Sequence, residues 1–185
     1  MRSSGGRQRG VIRHTWVSLG QMDALSSNYI RKREQALRIS RAALGIEIPP
    51  VEAPVWSVLM EWVAPSAVAT CVTTLDGSAD LLFSEGSELP GDHAPGAEPL
   101  VRAVAMLHEH ANGLRQLLKP ADAFPLPKAE HVNFFLLTDA GVLSASAREA
   151  ELRIRRHPLW RLYFAAHEVT SALYQLDELR YSERA

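Results

Sequence analysis

The stretch AVATCVTTLDGSADLLF, residues 67–83, decides the fold class of this chain. Its first half is rich in Val and Thr, which favour strands, and its second half is again apolar. Asp76-Gly77 stands between the two halves, and an Asp-Gly pair between such runs is a strong short-range signal of a β-hairpin. We therefore expect two antiparallel strands here.

A second hairpin is predicted further along the chain. Residues 131–138 (HVNFFLLT) form a nearly continuous apolar run, which is typical of a strand that is covered on both faces. Asp139-Ala140-Gly141 then turns the chain into the run 142–146 (VLSAS). Two hairpins indicate an antiparallel sheet.

Three segments have the pattern of helices that would lie on this sheet. Residues 54–63 are apolar with a proline in the first turn, which predicts a short helix. Residues 98–118 and 158–179 each carry one apolar stripe with spacings of three and four. The segment 149–155 fits either a strand or a helix, and 84–98 has the glycines and prolines of a loop. The predicted class is α+β, an antiparallel sheet of two hairpins with helices packed on it.

Charge divides the chain into an arm and a domain, although the total is only −1. Residues 1–46 hold nine basic residues and two acidic ones, a net charge of +7, so the remainder carries −8. We interpret 1–21 as disordered or as preceding a true start at Met22, with a mitochondrial-type presequence as the alternative. Residues 22–50 form a basic arm helix followed by a Pro-Pro linker, and we expect the α+β domain, 51–185, to fold without this arm.

The order of elements resembles that of the roadblock family, the group of dynein light chains and bacterial GTPase regulators. The resemblance covers about 51–179 and rests on the Asp76-Gly77 hairpin and the turn at 138–141. It departs from the family in having two strands rather than three after the long helix, and profilin-like and longin-like sheets match the order nearly as well. The resemblance implies a non-enzymatic homodimeric platform that binds a protein partner, with a small GTPase as one such partner.

No residue pattern in the chain indicates a catalytic centre, a cofactor or a metal. The phosphate-binding and nucleophile motifs GxxxxGK[ST], GxGxxG and GxSxG are absent, and His108 and His110 diverge on a helix, so they cannot share a metal. The lone Cys71 is expected to be a buried, inert strand residue. Two alternatives remain: a small hydrolase or transferase that uses Cys71 or His167, and a regulatory domain that senses a small molecule beneath the 84–98 loop.

The last predicted helix offers the best candidate interface. Leu162 and Val169 belong to its main apolar stripe, while Trp160 and Phe164 lie on another side. One sheet can cover only one stripe, so we expect these four residues to form a homodimer interface. A basic cluster just before the helix is the candidate docking site for an acidic partner: Arg153, Arg155 and Arg156.

Composition limits the classes of partner and the cellular location that we expect for the protein. The near-neutral total charge argues against nucleic acid as a partner, and no apolar run is long enough to span a membrane. Arg- and Ala-rich usage suggests a bacterial cytoplasmic protein. The predicted partner is therefore another protein, together with a second copy of this chain.

Overall fold

The protein is an α+β fold built on one seven-stranded antiparallel sheet. The computed structural model describes residues 25–45, 54–91 and 96–184. The expectations for residues 1–21 and for the Pro49-Pro50 linker lie outside these described residues. Four helices accompany the strands, and the elements follow in this order: α1 (Ser27–Arg38), β1 (Ser57–Val63), β2 (Val68–Thr74), β3 (Ala79–Phe83), β4 (Glu88–Gly91), α2 (Glu98–Leu114), β5 (Lys119–Pro120), β6 (His131–Thr138), β7 (Gly141–Arg148), α3 (Glu149–Arg153) and α4 (Trp160–Arg184).

The strands lie in the order β4-β3-β2-β1-β6-β7-β5. The two predicted hairpins are β2–β3 and β6–β7, and Gly77 adopts the positive φ of +92° that its turn requires. The sheet is larger than two hairpins, because β1 and β4 extend the first one into a four-stranded meander. The specific resemblance to roadblock, profilin or longin sheets remains a prediction.

The expected helix at 54–63 is wrong, because this segment contains the central strand β1. Its neighbours are β2 and β6, and from Ser57 to Glu61 every side chain is buried. A strand that is covered on both faces shows no alternation of apolar and polar residues, so its short apolar run looks like that of a buried helix. Pro54 precedes the strand rather than opening a helix.

Helices cover the sheet on both faces. On one face α2 and α4 pack together, and core residues such as Val104, Leu107 and Leu162 lie against Met60 and Phe134 of the sheet. The opposite face is a second core, in which α1 covers the strands. Its buried members are Tyr29, Leu37, Trp56, Leu59, Val68, Val72, Leu82, Phe135 and Leu137.

The arm helix is therefore part of the packed structure. α1 begins after Ser26, whose hydroxyl accepts a hydrogen bond from the backbone N–H of Asn28 and so caps the helix. Tyr29 and Leu37 bury all but 2% and 5% of their surface against the sheet. Because α1 covers a face that would otherwise expose a large apolar area, the structure argues against a domain that folds equally well without the arm.

Two predicted boundaries also change. The stretch 84–98 is not all loop, because it contains the edge strand β4, and the ambiguous segment 149–155 contains the short helix α3. Among the described residues no helix is both long and apolar enough to cross a membrane.

Candidate functional site

The start of α4 carries a surface of arginines and aromatic rings, which we call the α4 patch. Its aromatic centre is Trp160 and Phe164, both half-buried, and their rings meet edge to face with centroids 6.2 Å apart. The guanidinium carbon of Arg155 lies 5.0 Å from the Trp160 centroid and 5.5 Å from that of Phe164, and that of Arg161 lies 5.4 Å from Trp160. Beside them Ile154 is 60% exposed. The patch thus combines cations with apolar surface.

The chain reversal between α3 and α4 produces this arrangement. Leu152 anchors α3 in the core with no exposed surface, and α3 ends where Arg155 takes up a left-handed conformation with φ +59°. The Arg155 N–H donates to the Leu152 carbonyl at 3.0 Å, which is a common way to close a helix. The His157 ring then accepts from the Leu159 N–H at 3.2 Å, one residue before α4 begins. The Arg155 side chain is therefore held next to the first turn of α4, with the exposed Ile154 adjacent to it in the chain.

The predicted docking residues belong to this surface. Arg153, Arg155 and Arg156 are all exposed, and within the described residues none of them forms an ion pair with a carboxylate. Between residues 148 and 161 the chain has five arginines and only two glutamates. The α4 patch is accordingly a positively charged surface.

Of the four predicted interface residues, two do not belong to a surface. Leu162 and Val169 are fully buried in the core that α4 shares with α2 and the sheet. They are therefore unavailable to a second subunit, and only Trp160 and Phe164 remain as interface candidates. The main stripe of α4 is covered by the chain itself, because α2 and the sheet pack against it together.

A run of ring contacts connects the α4 patch to the central strand. Tyr163 packs on Phe164 at 5.4 Å and on His167 at 4.4 Å, and His167 in turn meets Trp62 of β1 at 5.4 Å. Sequence reasoning missed Tyr163 and Trp62 as neighbours of His167. The i, i+4 spacing of Tyr163 and His167 was visible, but Trp62 had been placed on a helix.

His167 is held in a neutral form. Burial lowers its pKa, although the nearby Glu149 carboxylate opposes this, and its Nε2 atom is buried without a hydrogen-bond partner in the described part of the chain. Glu149 accepts a hydrogen bond from the Tyr163 hydroxyl at 2.9 Å, so this carboxylate is already engaged. Burial, with that hydrogen bond, raises the pKa of Tyr163. The His167 environment therefore holds a packed histidine and shows no nucleophile within hydrogen-bond reach.

Cys71 lies in the middle of β2, and only 1% of its surface is exposed. Burial raises the pKa of its thiol to about 12, so the thiolate, which is the reactive form, is not populated near neutral pH. The expected structural role of Cys71 agrees with this environment, and the structure gives the Cys71 nucleophile of the enzyme alternative no support.

His108 is a structural residue of the core, only 2% exposed. Its Nδ1 lies 3.0 Å from the Val55 carbonyl oxygen and its Nε2 lies 3.1 Å from the Thr73 hydroxyl. Because a carbonyl can only accept, Nδ1 carries a proton. In the neutral ring Nε2 is then the acceptor for Thr73, whose hydroxyl also lies 3.4 Å from the Val58 carbonyl oxygen. Burial lowers the His108 pKa, which agrees with this neutral tautomer.

A buried ion pair between α1 and β1 is the polar feature that the sequence did not reveal. Glu61 is fully buried, and Arg33 binds it through both carboxylate oxygens, at 2.6 and 2.9 Å. Thr70 contacts the same carboxylate at 3.3 Å and shares a 2.9 Å hydrogen bond with Tyr29, while Arg33 also donates to the Phe124 carbonyl. Burial raises the pKa of Glu61, and the Arg33 guanidinium opposes this effect. With every member engaged, the network anchors α1 to the sheet.

Around Gly91, the 84–98 segment leaves no room for a ligand between β4 and the helices. A Cβ atom added to Gly91 would lie 2.4 Å from a Leu173 methyl carbon and 2.5 Å from one of Leu100, so β4 packs tightly on α2 and α4 there. Nor does any group of three or more His, Cys, Asp or Glu residues among those described have the arrangement of a metal site.

Comparison of the chain with protein-family models, with curated proteins and with solved structures found no match.

Proposed function

We propose that this chain is a non-enzymatic interaction domain that binds an acidic protein partner through the α4 patch. The observation that carries the proposal is the exposed Ile154 and the half-buried Trp160 and Phe164 among arginines that form no ion pair within the described part of the chain. Arginine and aromatic residues are the side chains most enriched among those that dominate binding energy. Their cationic surface complements carboxylates on a partner, which favours fast, oriented association.

A second copy of the chain is the competing occupant of the α4 patch. In a two-fold dimer the same surface meets itself, so the arginines at 153, 155, 156 and 161 would face their own copies. Such like-charge contacts disfavour pairing unless anions intervene. We therefore propose an acidic partner for the patch in preference to the homodimer that the sequence suggested. A small GTPase, which the roadblock resemblance implies, is one candidate of this kind.

Affinity capture with matched variants tests this proposal. Nuclease-treated lysate is passed over the wild-type protein, Arg155→Glu and, as control, Arg102→Glu, which reverses an exposed arginine on α2. We expect a protein that the wild type and the control retain and Arg155→Glu loses. Purified, that protein should bind directly, about tenfold more weakly to Arg155→Glu, and more weakly as salt rises. If every captured protein is retained equally by Arg155→Glu, the α4 patch is not the docking surface.

Sedimentation velocity distinguishes the acidic-partner proposal from a homodimer that forms through the α4 patch. A charge at Phe164, in the centre of the α4 patch, would prevent self-association through this surface. If the wild type is a dimer and Phe164→Glu is a folded monomer, the patch is a homodimer interface and the acidic-partner proposal is wrong. We expect instead that Phe164→Glu leaves the sedimentation coefficient unchanged.

A further inference from the structure

A cleft opens between the end of α1 and the turn that joins β6 to β7, on the opposite face of the sheet from α4. Its volume is about 300 Å³. Leu37, Trp56 and Leu137 are buried residues that form its apolar floor, and Arg38, Arg41 and Asp139 stand at its more exposed rim. We call it the α1 cleft. It shares no residue with the α4 patch, so an inference from it goes beyond the proposed function.

Two buried polar groups at this end of the sheet have no hydrogen-bond partner among the described residues. One is the indole N–H of Trp56, a residue that is 5% exposed and lines the cleft, and the other is the hydroxyl of the adjacent, fully buried Ser57. A buried donor without an acceptor destabilises the fold, so such groups are normally satisfied by water or by a ligand.

The backbone explains why both groups lie on the same face. The Trp56 N–H donates to the Leu137 carbonyl at 3.0 Å, and Ser57 is also opposite Leu137 in the β1–β6 register. Two consecutive residues thus oppose one, which is the arrangement of a β-bulge and directs neighbouring side chains to one side. Strand alternation from Leu59, a member of the α1-side core, places Ser57 on that side as well.

The charges at the rim define which ligand would suit the cleft. Arg41 pairs with Asp139 at 3.2 Å, whereas Arg38 is exposed and makes no ion pair within the described residues. Among the described lining residues, the rim therefore has one positive charge more than it has negative ones. An indole N–H and a guanidinium can only donate hydrogen bonds, so the complementary group is an anionic acceptor.

We propose that the α1 cleft binds a small organic carboxylate. Its apolar chain lies on Leu37, Trp56 and Leu137, and Arg38 supplies the compensating charge. The Trp56 indole nitrogen is itself buried, so a small displacement of the ring on binding lets a carboxylate oxygen accept its hydrogen bond. A ligand of this kind fills apolar space and satisfies an unpaired donor at the same time, which is the usual design of small-molecule sites.

Nuclear magnetic resonance of the ¹⁵N-labelled full chain tests this directly. The chain has four tryptophans, and the indole signal that disappears in Trp56→Phe, or that backbone-linked assignment identifies, belongs to Trp56. Hexanoate is the probe, and 1-hexanol and hexylamine are matched for chain length but lack the negative charge. We expect hexanoate to move the Trp56 indole signal in a saturable way and the other two compounds to bind at least about tenfold more weakly.

Arginine variants test the charge. We expect Arg38→Gln to weaken hexanoate binding about threefold or more, because an exposed cation contributes modestly, whereas Arg102→Gln on α2 should leave it unchanged. The proposal is wrong if the Trp56 indole signal does not move at millimolar hexanoate. It is equally wrong if 1-hexanol or hexylamine binds as well as hexanoate, or if the two arginine variants bind hexanoate alike.

Discussion

Replacement of Arg33 should remove much of the free energy that holds α1 on the sheet. Arg33→Met keeps the length of the side chain but leaves the fully buried Glu61 without its bidentate partner. Breaking one side of a buried ion pair typically costs about 3–5 kcal/mol. We therefore expect a loss of this size in the free energy of unfolding at pH 7, measured by urea titration.

The Glu61 carboxyl sets the pH dependence of that loss. It can escape the penalty by binding a proton, and protonating a carboxyl with an ordinary pKa of about 4.3 costs about 3.7 kcal/mol at pH 7 but only about 1 kcal/mol at pH 5. In the variant, the folded state binds this proton more readily than the unfolded state, so its stability falls as pH rises. The deficit of Arg33→Met relative to the wild type should therefore shrink by about 2–3 kcal/mol between pH 7 and pH 5.

The double variant Arg33→Met, Glu61→Met is the control. Replacing both partners of a buried pair by apolar side chains is often nearly neutral, so the double variant should be more stable than Arg33→Met alone. A cost below about 1 kcal/mol for Arg33→Met at pH 7, or additive effects of the two substitutions, would show that the ion pair does not anchor α1. Deletion of residues 1–46 should lower the unfolding midpoint as well, because it also leaves Glu61 without Arg33.

Three further predictions concern the core. Gly91→Ala should lower the free energy of unfolding in urea by about 1–3 kcal/mol, because the new Cβ would overlap a Leu173 methyl group. Gly113→Ala is the control: this position has open space around it, so the substitution should stabilise α2 by up to about 1 kcal/mol. The free energy of unfolding should decrease as pH falls below about 6.5, because the buried neutral His108 has a lowered pKa and the unfolded state binds the proton more readily. His108→Gln should flatten this pH dependence. An unaltered pH dependence would contradict the assignment of His108 as a buried neutral residue. Cys71 should react with a thiol reagent only at the rate of global unfolding, and Cys71→Ala should cost about 1 kcal/mol; rapid labelling of the native protein would show that the thiol is accessible.

The sequence predicts local features of this fold better than long-range ones. The Asp76-Gly77 turn, the buried run at 131–138 and the stripes of α2 and α4 are each determined by residues near one another, and each is present in the structure. β1 was misassigned because one of its two partners, β6, lies about 70 residues away in the sequence. Its apolar composition reflects burial between β2 and β6, which no local periodicity encodes.

The candidate sites, too, could be predicted only where their residues are adjacent in the sequence. Arg153, Arg155 and Arg156 were identified as a basic cluster from adjacency alone, and they are exposed as such clusters usually are. Arg33 lies on a helix that we expected to be an external arm, and Glu61 lies on a strand that we expected to be a helix. The sequence therefore offered no reason to pair these two residues. The α1 cleft likewise depends on a bulge that only the β1–β6 register reveals.

The position of β1 has a consequence for how the chain assembles during synthesis. α1 and β1 are synthesised before β6, yet β6 is one neighbour of β1, and Arg33 of α1 also binds the carbonyl of Phe124, 91 residues further along. Until residues 131–138 emerge, one edge of β1 has no partner and α1 has no complete surface on which to dock. Contacts of such separation slow folding and leave apolar edges open to other chains. We therefore expect the chain to be most prone to aggregation before residues 131–138 have been synthesised.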